Sequence, residues 1–280
     1  MKQVTIQGVS GCFHEEAARK YFADEEIETV ECKSFNDLFK RMAADRTLLG
    51  AIAIENTIAG SLLQNHELLQ NSDLRIVGEH KIRISHNVAV LPEETIADIT
   101  EVNSHPIALM QCRVWLDAHP TAKVVETGDT AGSAKAIADG KLTGHAAICG
   151  EYAAGLYGLK IIERGIETNK RNFTRFLILA DKSVAESMVD PQKINKASLS
   201  FTTPHSSGSL SKVLTILSFY GINLSKIQSL PIIGREWEYQ FYVDVIFDDR
   251  VRFRQSIDAI RPLTNELKIL GEYTQCQNPE

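Results

Sequence analysis

Residues 75–94 read RIVGEHKIRISHNVAVLPEE. The stretch is long, continuous and β-like, and no segment with helical period interrupts it. A chain that stays extended this far is leaving one layer of structure for another, so 75–94 is expected to cross between two lobes.

On either side of it the chain repeats strand, turn and helix. Strand candidates are VTIQ (4–7), AIAI (51–54), HNVAVL (86–91), AKVVET (122–127), AAIC (146–149) and KIIE (160–163). Helix-period segments lie between them at FNDLFKRMAA (35–44), IALMQCRVWLDA (107–118) and AGSAKAIADG (131–140). Short apolar runs alternating with helices predict an α/β fold with a largely parallel sheet. Residues 181–196, DKSVAESMVDPQKINK, turn polar and charged and read as a linker. Beyond them, KASLSFTT, SLSKVLTILSFYG, INLSKIQSLPI, EYQFYVDVIF, VRFRQSIDAIRPL and KILGEYTQ follow in turn. That order is strand–helix–strand–strand–helix–strand, a ferredoxin-like split βαβ sandwich over 197–280.

The bulk composition restricts the function classes. The chain has 280 residues, 44% hydrophobic and 24% charged, ordinary for a soluble globular protein of more than one domain. A net charge of −6 and no basic patch argue against a nucleic-acid partner. No run of apolar residues reaches the length of a membrane span, and MKQVTIQG lacks the apolar core of a signal peptide. Cys12, Cys32, Cys112, Cys149 and Cys276 are odd in number and scattered, which predicts reduced thiols in the cytoplasm and neither a disulfide framework nor a zinc site.

Several strand candidates run into turns rich in small, hydroxyl or amide residues that open helices. These are Gly8–Gly11, Glu55-Asn56-Thr57, Ser104-His105-Pro106, Asp129-Thr130 and Gly150-Glu151. In an α/β sheet such turns gather at the carboxyl ends of the strands, where ligands bind. Each is an ordinary helix cap taken singly; five at one edge favour a pocket for a small anion. His105 reads equally as a base or as a structural hydrogen-bonding residue. HEEAA (14–18) and HELLQ (66–70) lack the second histidine of a zinc-protease helix, GVSGC (8–12) lacks the last glycine of a nucleophile elbow, and no phosphate-binding loop is present. The expected chemistry needs no metal, nucleotide or covalent nucleophile, and no cofactor.

The stretch NFTRFLIL (172–179) places an amide, a hydroxyl and a permanent cation at the mouth of an apolar strand. Arg175 offers a fork suited to a carboxylate, Thr174 a donor to a substrate oxygen, and Asn172 an orienting amide. The same residues also read as an ordinary β-former and a snorkelling arginine at a strand end.

Taken in order, GVSGCFHEEAA, AIAIENTIAGSL, SHPIALMQC, GDTAGSAKAIA, AAICGEYAAGLYGL and NFTRFLIL resemble the prephenate dehydratase family, and the tail resembles the ACT regulatory domain that accompanies it. The resemblance spans residues 4 to about 275. It implies a two-lobed catalytic domain similar to periplasmic binding proteins over 1–180, with the active site in the cleft, a linker over 181–196, and an ACT domain over 197–280. The implied reaction converts prephenate to phenylpyruvate, water and CO2. The threonine of the family's TRF motif is essential, and it carries over to Thr174. Arg175, Asn172, Phe176, Glu55, Asn56, Thr57, Ser104, His105, Asp129 and Thr130 carry over as substrate-binding residues of the cleft. Where the family usually has Thr and Ser, this chain has Cys12 and His14, and neither is included in the expected site.

In the family, ACT domains pair across subunits and bind L-phenylalanine for feedback control. That implies an effector site formed by Ser207, Gly208, Ser209, Leu210, Asn223, Leu224, Gln228 and Ser229, and a homotetramer, a dimer of dimers. The family's ESRP is QSLP here (228–231), which removes an acid and an arginine. No helical chorismate mutase segment precedes the first motif, so a monofunctional enzyme is expected. Two rival readings are arogenate dehydratase, whose substrate differs only by an amino for a keto group, and a two-lobed anion sensor without catalysis.

Overall fold

The computed structural model describes residues 1–276. The chain begins with β1 (Lys2–Gln7), α1 (Phe13–Tyr21), β2 (Ile27–Cys32), α2 (Phe35–Ala44) and β3 (Leu49–Asn56). β1 lies parallel to both β2 and β3. Helix α2 shows why a crossover forms here. Ser34 caps it by accepting the Asp37 N–H at 3.2 Å, and Leu38, Phe39 and Met42 form one buried face. A short β4 (Gly60–Ser61) folds back on β3, α3 (Leu63–Gln70) follows, and β5 (Leu74–Arg83) closes the first passage through this lobe.

The second lobe holds β6 (Asn87–Val90), β7 (Glu101–Ser104), α4 (Pro106–Gln111), α5 (Arg113–Ala118), β8 (Lys123–Glu126), α6 (Thr130–Gly140), β9 (His145–Cys149), α7 (Glu151–Leu156) and β10 (Lys160–Glu163). Its sheet runs β10-β6-β9-β7-β8. The chain then returns as β11 (Phe173–Asp181), which inserts between β3 and β5 and completes the first sheet as β2-β1-β3-β11-β5.

Three expectations change in detail. The 75–94 stretch does cross between layers, but as two strands, β5 in one sheet and β6 in the other. The sheets are mixed, not largely parallel, because strands that pass between lobes without a crossover helix must pair antiparallel: β11 with both β3 and β5, and β6 with β9 and β10. The helix expected over 107–118 breaks at Cys112, which separates α4 from α5.

After a 3-10 turn at Ala185–Met188, the chain forms β12 (Lys196–Thr202), α8 (Ser209–Phe219), β13 (Asn223–Pro231), β14 (Tyr239–Ile246), α9 (Arg250–Ile260) and β15 (Asn265–Tyr273). Their order, β13-β14-β12-β15 with every neighbour antiparallel, is that of a split βαβ sandwich. Residues 277–280, which the expected last domain includes, lie outside the described residues.

This C-terminal unit is docked on the first lobe rather than tethered beside it. Tyr242, Leu270 and Tyr273 share one buried cluster with Leu74, Ile76, Leu177 and Leu179. The approach is closest at Gly271, where a Cβ would stand 2.2 Å from the Ile76 carbonyl oxygen, so no side chain fits. No helix among the described residues is long and apolar enough to cross a membrane.

Candidate active site

A cavity of about 330 Å³ opens between the two lobes, within the range of small-molecule pockets. The first lobe contributes Gln7, the start of α1 (Cys12, Phe13, His14), the end of β3 (Ala53, Asn56), and Thr174 and Phe176 of β11. The second contributes His86, His105, Gln111, Asp129 and Thr130. Ala53 and Asn56 share the cleft face despite their odd spacing. A register shift against β11, from Arg175↔Glu55 to Phe176↔Ala53, leaves Ile54 as an extra residue and turns the strand end.

Around Thr174 the hydrogen bonds determine one another. The Asn56 Oδ1 accepts the N–H groups of Ile58 and Ala59 at 2.9 and 2.8 Å, so its Nδ2 is the donor. That nitrogen donates to Asn172 Oδ1 at 2.7 Å and to Thr174 Oγ1 at 2.9 Å. Asn172 Nδ2 then donates to Gln111 Oε1 at 2.8 Å. His86 Nε2, 2.9 Å from the same oxygen, must carry its proton there. The outcome for Thr174 is specific: its oxygen accepts from Asn56, and its own hydrogen is left for a ligand.

Asp129 bridges the lobes. Its Oδ1 caps α6 by accepting the Ala131 N–H at 3.1 Å, and its Oδ2 accepts the Val9 N–H at 3.1 Å. A Cβ at Gly8, whose φ is +113°, would lie 2.8 Å from that oxygen. His105 accepts the Ile107 N–H on Nδ1 at 3.2 Å, which leaves Nε2 as its donor. Among the described residues no lysine or arginine lines the cleft. The N-termini of α1 and α6 face the cleft, the first with Glu15 accepting the Gly11 N–H and the second capped by Asp129. Among the described residues no cluster of His, Cys, Asp and Glu is placed to hold a metal ion.

Five expected site residues do not line this cavity, although Glu55, Thr57 and Arg175 border an adjoining one that shares Asn56 and Thr174 with it. Arg175 alternates with Thr174 and points to the opposite face of the sheet, where it ion-pairs with Glu55, Glu79 and Asp244 and is 4% exposed. A guanidinium so engaged has no fork to offer a substrate. Glu55 lies on that far face with it. Ser104 is buried and donates to the Ile148 carbonyl at 2.6 Å, locking β7 to β9. Thr57 donates to the Arg171 carbonyl and accepts the Phe173 N–H, both at 2.9 Å, tying two loops together. Asn172 is fully buried behind Asn56 and orients the site without lining it.

Gln111 and His86 enter the site unannounced, as do Gln7 and Phe13, while Cys12 and His14, left out of the expected site as departures from the family pattern, line the cleft. Gln111 sits inside the quoted stretch SHPIALMQC, and the end of α4 is a position from which a side chain reaches a cleft. His86, in the short link between β5 and β6, carries no local signal.

Burial holds the Cys12 thiol at about 12 and pushes the His14 imidazole down to about 4, so at neutral pH both are uncharged. His66, buried beneath Tyr242, is likewise held at about 4 by burial and by the Lys226 charge. Folded values depressed below the ordinary value mean that the unfolded chain takes up these protons first. The associated stability is present above about pH 6.5 and is lost as pH falls toward 4, up to about 3 kcal/mol per histidine. Urea midpoints measured between pH 7.5 and 4.5 are expected to fall steeply with acid. His14→Leu and His66→Leu should each make that slope shallower.

The fold and cleft define a two-lobed α/β protein with a cavity of small-molecule size between its lobes and a split βαβ unit beyond them. The family model for prephenate dehydratase matches residues 4–184. The bifunctional chorismate mutase/prephenate dehydratase of Escherichia coli strain K12 is 31% identical over 97% of this chain and 70% of that protein. Plant arogenate dehydratases are among the relatives as well. A solved structure described as GqqA, a quorum-quenching acylase, superposes with a TM-score of 0.86 at 28% identity, covering 98% of both chains. The Arthrobacter aurescens prephenate dehydratase in complex with L-Phe gives 0.85 at 24% identity, over 99% of this chain and 92% of that one. The chain belongs to the prephenate dehydratase family and is a dehydratase, a carbon–oxygen lyase.

Proposed function

We propose that the protein converts prephenate to phenylpyruvate, water and CO2 in L-phenylalanine biosynthesis, with Thr174 as the proton donor. The observation that carries this reading is the Thr174 hydroxyl, which accepts from Asn56 and keeps its hydrogen for the cleft. As CO2 departs, the electron pair of the breaking C–C bond enters the ring. The ring expels hydroxide at the opposite carbon and becomes aromatic. Threonine is a very weak acid, so its proton moves as the C–O bond breaks, and water is the leaving group. Thr174 regains its proton from solvent as the site turns over. Helix N-termini, the Gln111 amide N–H groups and His105 Nε2–H hold the two carboxylates, and Phe176 and Phe13 flank the ring.

The family domains divide as 1–180 catalytic, 181–196 linker and 197–280 ACT. L-Phenylalanine is the effector of the ACT domain. Gly208, at φ +77°, opens α8 and, with Ser209 and Leu210, borders a cavity of about 210 Å³ that also touches Trp237 and Tyr239. Ser229 pairs with Phe241 beside that cavity, as Gln228 does with Tyr242 one step further; Asn223 and Leu224 pair with Ile246 and Val245 at the other end of β13. Ser207 lies in the same turn. The two halves of the expected effector site are therefore apart within one chain, and a second copy pairing along edge strand β13 would join them. The exposed Ile227, Ile233 and Trp237 support that pairing, and a dimer of dimers extends it.

Arogenate remains the second substrate to test, because it differs only in the side-chain amino group. An acylase activity has less support. Among the described residues no cleft hydroxyl or thiol is hydrogen-bonded to a histidine, and the Cys12 thiol is held protonated. Turnover of prephenate and arogenate, each with and without L-phenylalanine, is the deciding assay. Prephenate turnover lowered by L-phenylalanine is the expected result; turnover of neither substrate would leave a binding protein.

A further inference from the structure

The back of the catalytic strands carries a second constellation. Three strands of the first sheet each present one charge: Glu55 on β3, Glu79 on β5 and Arg175 on β11. Three strands of the C-terminal unit present one each in return: Lys196 on β12, Lys226 on β13 and Asp244 on β14. One side sums to −1 and the other to +1, and the six interlock. Arg175 Nε lies 2.7 Å from Glu55 Oε1 and its Nη1 2.9 Å from Glu79 Oε2, while its Nη2 meets Asp244. Lys226 Nζ lies 2.8 Å from Glu55 Oε2, and Lys196 Nζ 2.8 Å from Glu79 Oε2.

The register turns this into a statement about catalysis. Asn56 pairs with Thr174 across β3 and β11, and Glu55 pairs with Arg175 one step along. Alternation places the first pair on the cleft face and the second on the docked face. The β3 end carries the Ile54 register shift against β11, and on its other edge it meets only the two-residue β4. Glu55 is the carboxylate of that end, and it divides its oxygens between Arg175 and Lys226. Moving Lys226 moves Glu55, and with it the adjoining Asn56 that aims the Thr174 hydroxyl.

We propose that Lys226, acting through Glu55, is a positioning residue for Thr174, so that docking of the C-terminal unit completes the catalytic geometry. β13, which carries Lys226, also carries Asn223, Leu224, Gln228 and Ser229. From β13 the Lys226–Glu55 ion pair leads directly to the strand that carries Asn56, and coupling of this kind is reciprocal. The proposal rests on the dehydratase reading of the cleft.

The test is Lys226→Met in the full chain, with Lys226→Arg and the double variant Glu55→Gln/Lys226→Met beside it. Lys226→Met is expected to lower kcat about tenfold, the order of effect of a sub-ångström misplacement, with KM within about twofold. Lys226→Arg should restore most of the rate, and the double variant should be no slower than Lys226→Met alone. In hydrogen exchange, the amides of 54–57 and 173–176 should exchange faster in Lys226→Met, while those of the β7–β9 pairing do not. A rise in KM at unchanged kcat, or unchanged exchange at 54–57, overturns the proposal. Absence of turnover in the unmodified protein would instead overturn the dehydratase reading, and the exchange comparison then decides the positioning role by itself.

Discussion

Thr174→Val is expected to lower kcat by about a thousandfold, close to 4 kcal/mol of barrier, while KM and stability stay near their starting values. Valine has almost the shape of threonine, so the packed wall around Phe176 is kept. What disappears is a hydrogen: the one that the Asn56 bond leaves pointing at the cleft. Asn56 itself loses one acceptor but keeps Asn172 Oδ1 at 2.7 Å and the Phe173 carbonyl at 3.2 Å, so the folding cost is about 1 kcal/mol or less. Thr174→Ser keeps the hydroxyl and should retain measurable turnover, reduced by the freedom of a side chain without its methyl. Steady-state kinetics with prephenate and a thermal melt on the same samples separate the two effects. Near-normal kcat in the valine variant would show that water, or another donor, protonates the leaving group.

Much of the architecture could be read before any coordinates, and the residues show why. Rhythm is local: α2 declares itself by Ser34 and the spacing of Leu38 and Met42, and the final β-α-β-β-α-β order follows from segments with distinct periods. β2 escaped notice because its Glu28 and Glu31 belong to a sheet edge, where one face meets solvent and the apolar run is broken. Facing is another matter. β11 is buried on both sides, from Thr174 to Asp181, so its sequence has no polar stripe to say which residues meet the cleft. Arg175 looked like a substrate fork because its acidic partners, Glu55, Glu79 and Asp244, are 120, 96 and 69 positions away: the first two come beside it only when β3 and β5 pair with β11, and the third only when the C-terminal unit docks. The amide chain from His86 through Gln111 and Asn172 to Asn56 is legible only in space for the same reason.

Arg175→Met is expected to destabilise the protein by about 3–5 kcal/mol, because it strands buried carboxylates. In the native network burial pushes the Asp244 carboxyl up, but Arg175 and Lys196 more than offset this and hold it below the usual carboxylate range. Burial also pushes Glu55 up, and Arg175 with Lys226 brings it down. Stability carried by such depressed carboxylates is present above their ordinary pKa and is lost as pH falls through the folded value. Without the guanidinium, three acids face two lysines, and Asp244 keeps only the Ser198 hydroxyl at hydrogen-bond distance. Denaturant unfolding at pH 7 should show the loss, and lowering the pH to 5 should lessen it, as the stranded carboxyls take up protons more readily than in the native protein. Adding Asp244→Asn to Arg175→Met should recover about half of the lost stability, since the amide needs no counter-charge. A loss below about 1 kcal/mol in Arg175→Met would mean that Lys196 and Lys226 alone neutralise the three acids. The arginine would then serve to set the angle at which the two units meet, and its removal should be felt in kcat before it is felt in stability.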